Sequence, residues 1–218
     1  METLPYNMDR RIRLSVETES MPWQPSPMAG VLRKALEREK AESGEVTSVV
    51  QYAPGSTFSS HTHPAGEEIF VLEGEFADEN GRYPQGSYLR NPAGSKHSPF
   101  SDTGCTLFVK LNQFQAGDSA SLWTKTNEET WLPGQGKLRV MPLHEFEGHS
   151  TALVKWPPGT HFQPHQHWGG EEIFVLEGVF QDEHGQYPAG TWIRSPHMSR
   201  HNPFSEQGCT ILVKVGHL

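Results

Sequence analysis

Two histidines one residue apart, His61 and His63, precede a pair of carboxylates, Glu67 and Glu68, and a third histidine, His97, follows. The same set returns 104 residues later as His165, His167, Glu171, Glu172 and His201. On an extended strand, residues i and i+2 point to one face, so each His-x-His pair can converge on a single ion. A carboxylate at the start of the next strand can add an oxygen. His97, behind the turn Asn91-Pro92-Ala93-Gly94, can close the set. Three neutral nitrogens and one carboxylate oxygen suit a borderline divalent metal such as zinc, iron, nickel, manganese or cobalt. No cysteine falls within either set, which argues against a structural thiolate zinc site. A lone His-x-His would be weak, because histidines near turns are ordinary polar residues. The return of every ligand type at one offset leads us to expect one metal ion per copy.

The elements that must position these groups are short. Between Val50 and Lys110 the chain is a series of apolar runs broken by Gly, Pro and Asn. Pro64-Ala65-Gly66 reads as a turn, Ile69 to Leu72 as a strand, and Asp78-Glu79-Asn80-Gly81 as a hairpin with Asn-Gly at its tip. Ser87 to Arg90 and Leu107 to Lys110 are further strands, and such spacing indicates an all-β sandwich or barrel. Aligned without gaps, residues 50–110 and 154–214 share 34 identities in 61 positions, so the chain contains an internal duplication. The boundary falls in the polar stretch 112–130, giving expected domains of 1–113 and 114–218. Residues 31–42 have a helix-friendly composition. The matching stretch Lys137 to Phe146 contains Pro142, so strand is expected in both. Weak alternation at Ile12, Leu14 and Val16 leaves residues 1–20 as an edge strand, an arm exchanged in a dimer, or disordered chain.

Bulk properties narrow the function classes. The 218 residues carry a net charge of −8, with −4 in residues 1–110 and −4 in 111–218. No basic stripe offsets phosphate charge, so nucleic-acid binding is not expected. No apolar run is long enough to span a membrane, and acidic residues follow Arg10-Arg11-Ile12-Arg13 where a leader would be apolar, so a cytoplasmic location is expected. Cys105 and Cys209 also stand 104 apart, each leading a strand-like run, and are expected to be reduced core residues. There is no Gly-rich phosphate loop and no Gly-x-Ser-x-Gly elbow.

The full spacing, Gly55, His61-x-His63, Glu67 and Gly74, then Gly86, Pro92-x-Gly94 and His97, resembles the two-part signature of the cupins. The second copy runs Gly159, His165, His167, Glu171, Gly178, Gly190, Pro196 and His201, and departs at Met198, where Gly94 stands in the first. The run Leu89 to Ser101, followed by Gly104-Cys105 and Val109-Lys110, is similar to the ChrR-like branch, which includes the C-terminal domain of ChrR-type anti-sigma factors and some small metal-dependent dioxygenases. The resemblance implies two tandem double-stranded β-helix (jelly-roll) barrels, each holding one divalent metal ion, with zinc favoured and iron, nickel or manganese as alternatives. It implies the ligand sets His61, His63, Glu67, His97 and His165, His167, Glu171, His201, choosing Glu67 and Glu171 over the neighbouring Glu68 and Glu172, which compete for the same role; strand alternation then turns Glu68 and Glu172 to the opposite face, as solvated or ion-paired rim charges. It also implies a homodimer. Anti-sigma activity in that family resides in a helical, zinc-binding N-terminal domain. No Cys precedes Cys105 and little sequence precedes the first barrel, so a sigma factor is not expected as partner.

Two functions follow as expectations: a sensory or small-ligand-binding bicupin, or a metal-dependent dioxygenase acting on a small carbonyl or phenolic compound. A purely structural metal is a third. Arg90 and Arg194, just ahead of the third histidines, suit either an anionic ligand or a structural ion pair. Phe58, Phe70, Phe162 and Phe174 suit core packing or an apolar pocket. His161, His197 and Trp168 occur only in the second copy, as surface residues or as groups near its metal.

Overall fold

The structure, a computed structural model, describes residues 4–218. It is all-β; the described residues include no α-helix, only a 3-10 turn at Thr18–Ser20. Two compact units emerge. One holds the described residues up to Met8 together with Met21–Glu128, and the other holds Asp9–Ser20 with Glu129–Leu218. No helix among the described residues is long and apolar enough to cross a membrane.

Each unit is organised by a twelve-residue strand, Glu67–Asp78 or Glu171–Asp182. In the first unit its opening half lies between Ser87–Asn91 and Cys105–Leu111 in an antiparallel sheet. Its closing half leaves that sheet and pairs with Gly81–Pro84 and Phe100–Ser101. One strand thus turns the corner between the two faces of a barrel, as jelly rolls require. The corner is at Gly74, whose φ of +71° only glycine adopts without strain, and an added Cβ would collide with the Gly104 carbonyl oxygen. The ladder shifts register at Thr106/Leu107, opposite the same bend.

The inward faces bury a core in each unit. Ile69, Val71, Phe76, Leu89 and Leu107 pack with Tyr52 in the first, and Ile173, Val175, Phe180, Ile193 and Ile211 with Trp156 in the second. Val31–Arg38 is a strand, as is Arg139–Phe146, despite the helix-friendly composition of the former. Pairing with Val46–Tyr52 and burial override that local propensity. The hairpin after Asp78 is present, but Glu79 and Asn80 form its tip and Gly81 already pairs with Asp78. Cys105 and Cys209 are free and buried, and burial pushes both thiols up to about 11.

The arms carry a detail that spacing alone does not announce. Leu122–Lys125 adds to the edge strand of the first barrel, with Leu122 opposite Arg90. Leu14–Glu17 adds to the corresponding edge of the second barrel, with Leu14 opposite Arg194. Thr18 and Thr126 end the two arms alike, donating through hydroxyl and backbone N–H to the carbonyls of Gly190 and Gly86. The N-terminal stretch is therefore an edge strand on the second barrel; its residues 1–3 lie outside the described residues.

Candidate metal centres

His61 lies on a two-residue strand paired with Lys96–His97, which sets His97 directly opposite it. His63 follows on the same side, and the turn at Pro64–Gly66 delivers Glu67 as first residue of the long strand. The three rings gather with centroids 4.7–5.1 Å apart. Oε2 of Glu67 is 3.3 Å from Nε2 of His63 and 3.4 Å from Nε2 of His97. The second barrel repeats this. Nε2 of His201 lies 2.9 Å from that of His167 and 3.3 Å from that of His165. Oε2 of Glu171 is 3.4 Å from His167 and 3.6 Å from His201. In each set one donor atom per residue falls within 4.8 Å of all the others. Metal–ligand bonds of about 2.0–2.2 Å place neighbouring donors roughly 3–3.5 Å apart, so both sets fit one ion of that size.

The buried atoms supply an independent test of that fit. Nε2 of His63, Nε2 of His97 and Oε2 of Glu171 are buried without a hydrogen-bond partner. Such groups ordinarily cost free energy unless something satisfies them. Meanwhile Nδ1 is engaged in four of the six rings. Nδ1 of His61 and of His165 face the carbonyls of Ser59 and Gln163 at 2.9 and 3.0 Å. Nδ1 of His97 is 3.0 Å from Oδ2 of Asp78, and Nδ1 of His201 is 3.5 Å from Oδ2 of Asp182. This leaves the Nε2 lone pairs for a metal. Asn91 donates to Oε2 of Glu67 at 2.9 Å and orients it.

Electrostatics sharpen the picture. Burial lowers His63, and lowers His167 to about 3 with help from the charges of His201 and His165. Burial works against charge on His97 and His201 too, but their aspartate partners and the cluster glutamates leave both raised. Burial pushes Glu171 up to about 7, opposed by His201. Asp78 and Asp182, not singled out from the sequence, each face a ring of a cluster, and their signal is recurrence at the same offset. Both carboxyls are burdened by burial yet held low by hydrogen bonds, led by those to His97 and His201, Asp182 at about 2.

The first cluster opens onto a cavity of about 750 Å³ whose lining includes His61, His63, Glu67, Tyr52, Phe58 and Leu107. Phe58 packs edge-on against His61, as Phe162 does against His165. Phe70 and Phe174 are buried. Other candidates fall elsewhere. Glu68 and Glu172 are not rim charges: both are buried, Glu68 accepting from the Tyr88 hydroxyl and Glu172 from the Trp192 indole N–H. Arg90 is committed to Asp118 at 2.6 Å, and Arg194 to the carbonyl of Asp9 at 2.9 Å. His161 is exposed beside Glu206 and stacked on Phe204; His197 accepts from the backbone N–H of Gly169, under an exposed Trp168. Met198 keeps the turn, with φ +63° and the same bond to the His167 carbonyl that Gly94 makes to His63.

Comparison with known proteins places these features in context. A family model described as the ChrR cupin-like domain matches residues 12–115 and again 119–218. No curated protein sequence matches the chain. Among solved structures, a candidate dioxygenase from Nostoc punctiforme aligns with a TM-score of 0.79 at 18% identity, covering 94% of this chain and 82% of that one. The E. coli protein Ylba aligns at 0.73 and 13% identity, covering 94% and 91%. Oxalate decarboxylase from Lactobacillus farciminis aligns at 0.66 and 14%, covering 94% and 86%. At such identities the likeness establishes the fold alone.

Proposed function

Because the chain belongs to the ChrR cupin-like family in each of its halves, we propose that each barrel holds one divalent metal ion and that the first serves as the head of a binding site for a small, largely apolar organic molecule, in a sensory or ligand-binding role. The observation that carries this reading is the buried, unbonded Nε2 of His63, whose residue lines the first cavity with His61 and Glu67, beside the equally unbonded Nε2 of His97. Zinc is the favoured ion for such a role, since it binds nitrogen and carboxylate oxygen without redox chemistry. A bound divalent ion supplies Lewis acidity toward a ligand oxygen.

The chain's own residues do the rest. Ser59 and Asp78 fix the rings of His61 and His97 through Nδ1, and Asn91 fixes Glu67. Phe58, Ile69, Phe76 and Leu107 exclude water from the ligand's apolar part. Tyr52 lines the same cavity, and burial holds its phenol well above its ordinary range, with the charge of Glu67 adding to the shift; it stays protonated, as a hydrogen-bond donor.

A second reading is a metal-dependent dioxygenase acting on a small carbonyl or phenolic compound. It is favoured by the cavity reaching the ligand set itself, so that a substrate could stand beside the ion. The fold shared with a candidate dioxygenase is consistent with it.

Elemental analysis of the untagged protein tests the proposal. Two equivalents of metal per chain are expected, falling to one in His61→Ala and to one in His165→Ala. Zinc supports the binding role. Iron, nickel or manganese, with oxygen uptake on small diketones or phenols, supports the second reading. No metal after reconstitution with each candidate ion would overturn both.

A further inference from the structure

The two ligand sets are alike, but their surroundings are not. Arg13, one residue ahead of the Leu14–Glu17 arm, donates to Oδ2 of Asp182 at 2.7 Å and to the Tyr187 hydroxyl at 3.0 Å. Its guanidinium also lies over the Tyr187 ring, 5.4 Å from the centroid. Asp182 is the carboxylate that faces Nδ1 of His201. The arm registers, Leu14 with Arg194 and Leu122 with Arg90, make Ser121 the counterpart of Arg13 in the first barrel. There the place of the guanidinium is a cleft of about 300 Å³, lined among others by Asp78, Tyr83, His97, Ser121 and Trp123. The carboxylate–imidazole separation follows the same contrast: 3.0 Å between Asp78 and His97, 3.5 Å between Asp182 and His201.

We propose that Arg13 is a positioning residue that makes the second barrel the weaker metal site. This rests on the proposed binding of one metal per barrel. A carboxylate bonded to the far nitrogen of a ligand imidazole orients the ring and strengthens it as a donor. Arg13 takes the same oxygen of Asp182 for itself, so His201 loses part of that support. It also sets a positive charge beside a cluster that must accept a dication. Among the other groups around the pair, Glu171 matches Glu67 and the partly exposed Glu183 matches Glu79. His184 replaces Asn80 in the second copy, but its ring is exposed and lies 3.9 Å from Glu183, whereas Arg13 bonds Asp182 itself. Lys96 lines the first cleft and Arg200 is its counterpart by sequence, so neither barrel is singled out by that position. The arm arginine is the difference. Through it, a segment far from the ligands in sequence sets the order in which the two barrels fill.

The test uses full-length His165→Ala, which keeps only the first site, and His61→Ala, which keeps only the second. Each is titrated with cobalt(II) against a competing chelator near neutral pH, and the visible absorption of the bound ion reports the loading. The first site is expected to bind about tenfold or more tighter than the second. Arg13→Met in the His61→Ala protein should close most of that gap, while Arg13→Lys, which keeps the charge and the arm's anchor, should leave most of it. Ser121→Arg in the His165→Ala protein should weaken the first site. Equal affinities in the two single-site proteins would overturn the proposal. So would an Arg13→Met protein, folded by circular dichroism, whose second site binds no tighter than before. Failure of both single-site proteins to take up any metal would instead remove the reading on which the proposal rests.

Discussion

Oδ2 of Asp78 stands 3.0 Å from Nδ1 of His97, while Oδ1 of the same carboxylate accepts from the Tyr83 hydroxyl at 3.0 Å and the backbone N–H of Asn80 at 2.7 Å. One side chain therefore both shapes the hairpin and braces a cluster imidazole. The last residue of the long strand is tied to a ring held by another element, so the geometry of the cluster depends on the closing half of the barrel.

That relationship predicts the effect of Asp78→Asn. The amide keeps the shape but removes the charge and leaves one acceptor oxygen where the carboxylate has two, so it cannot face His97 and also accept from Tyr83 and the Asn80 N–H. First-site metal affinity should fall by about 10- to 100-fold, measured by chelator competition in the His165→Ala background. The chain should remain folded, because the hairpin turn keeps its ladder. Unchanged affinity would mean that the contact is incidental.

Acidity should release metal, and the second site shows the sign. Burial pushes Glu171 up to about 7, so it takes its proton near neutrality, while His201, against burial, is raised by Asp182 and Glu171 and holds its proton to higher pH than an ordinary histidine. His165 and His167 are lowered and do not compete there. A bound metal requires both protons to leave. As pH falls, the protonated forms gain, so apparent affinity and the stabilisation that metal gives the fold both fall. In His61→Ala the loss should steepen from about tenfold toward about a hundredfold per pH unit as both groups come to bear. A titration flat across the range from about 8 to 6 would contradict the assignment of these groups as ligands.

Two glycines of the first barrel should respond differently to alanine. Gly94 has φ +83° and open space where a Cβ would stand, so Gly94→Ala costs only left-handed strain, about 1–2 kcal/mol. The second copy already carries Met198 there at φ +63°. At Gly74 the Cβ meets the carbonyl oxygen of Gly104 and lies 3.0 Å from Cα of Cys105, so backbone must move. Gly74→Ala should cost about 3 kcal/mol or more, enough to shift the urea transition strongly. Similar transitions for the two variants would show that the corner is less tightly packed than this geometry implies.

Much of this was written in local spacing. His61-x-His63, Glu67 and His97 are legible because strand periodicity and turn residues fix where they point, and duplication repeats the message. The opposite face was less legible. Glu68 looked like a rim charge because alternation says which side it faces, not what covers that side; burial and the Tyr88 hydroxyl do so in the folded chain. Asp78 was missed because its role depends on a strand returning to meet His97. The arm Leu14–Glu17 pairs with residues about 180 positions away, and no short-range pattern encodes such a partner. Helix-friendly residues at Val31–Arg38 became strand because their ladder to Val46–Tyr52 outweighs weak propensity.

The last prediction separates structure from ligand recognition at Arg90. Its guanidinium is buried, 2.6 Å from Asp118 and 4.0 Å from the centroid of the Phe114 ring. Removing one partner of a buried pair leaves an uncompensated charge, at a typical cost of about 3–5 kcal/mol. Asp118→Leu should therefore destabilise the protein strongly in urea. Replacing both, as Arg90→Met with Asp118→Leu, removes two buried charges together and should restore most of the loss. Metal content per chain should stay at the wild-type value in the double variant, because neither residue belongs to a ligand set. If Arg90 instead bound an anionic ligand in the cavity, Asp118→Leu would change stability little and the double variant would lose ligand binding. The direct bond between Arg90 and Asp118 is the reason to expect the first result: an arginine already neutralised at 2.6 Å has little charge left to offer a second anion.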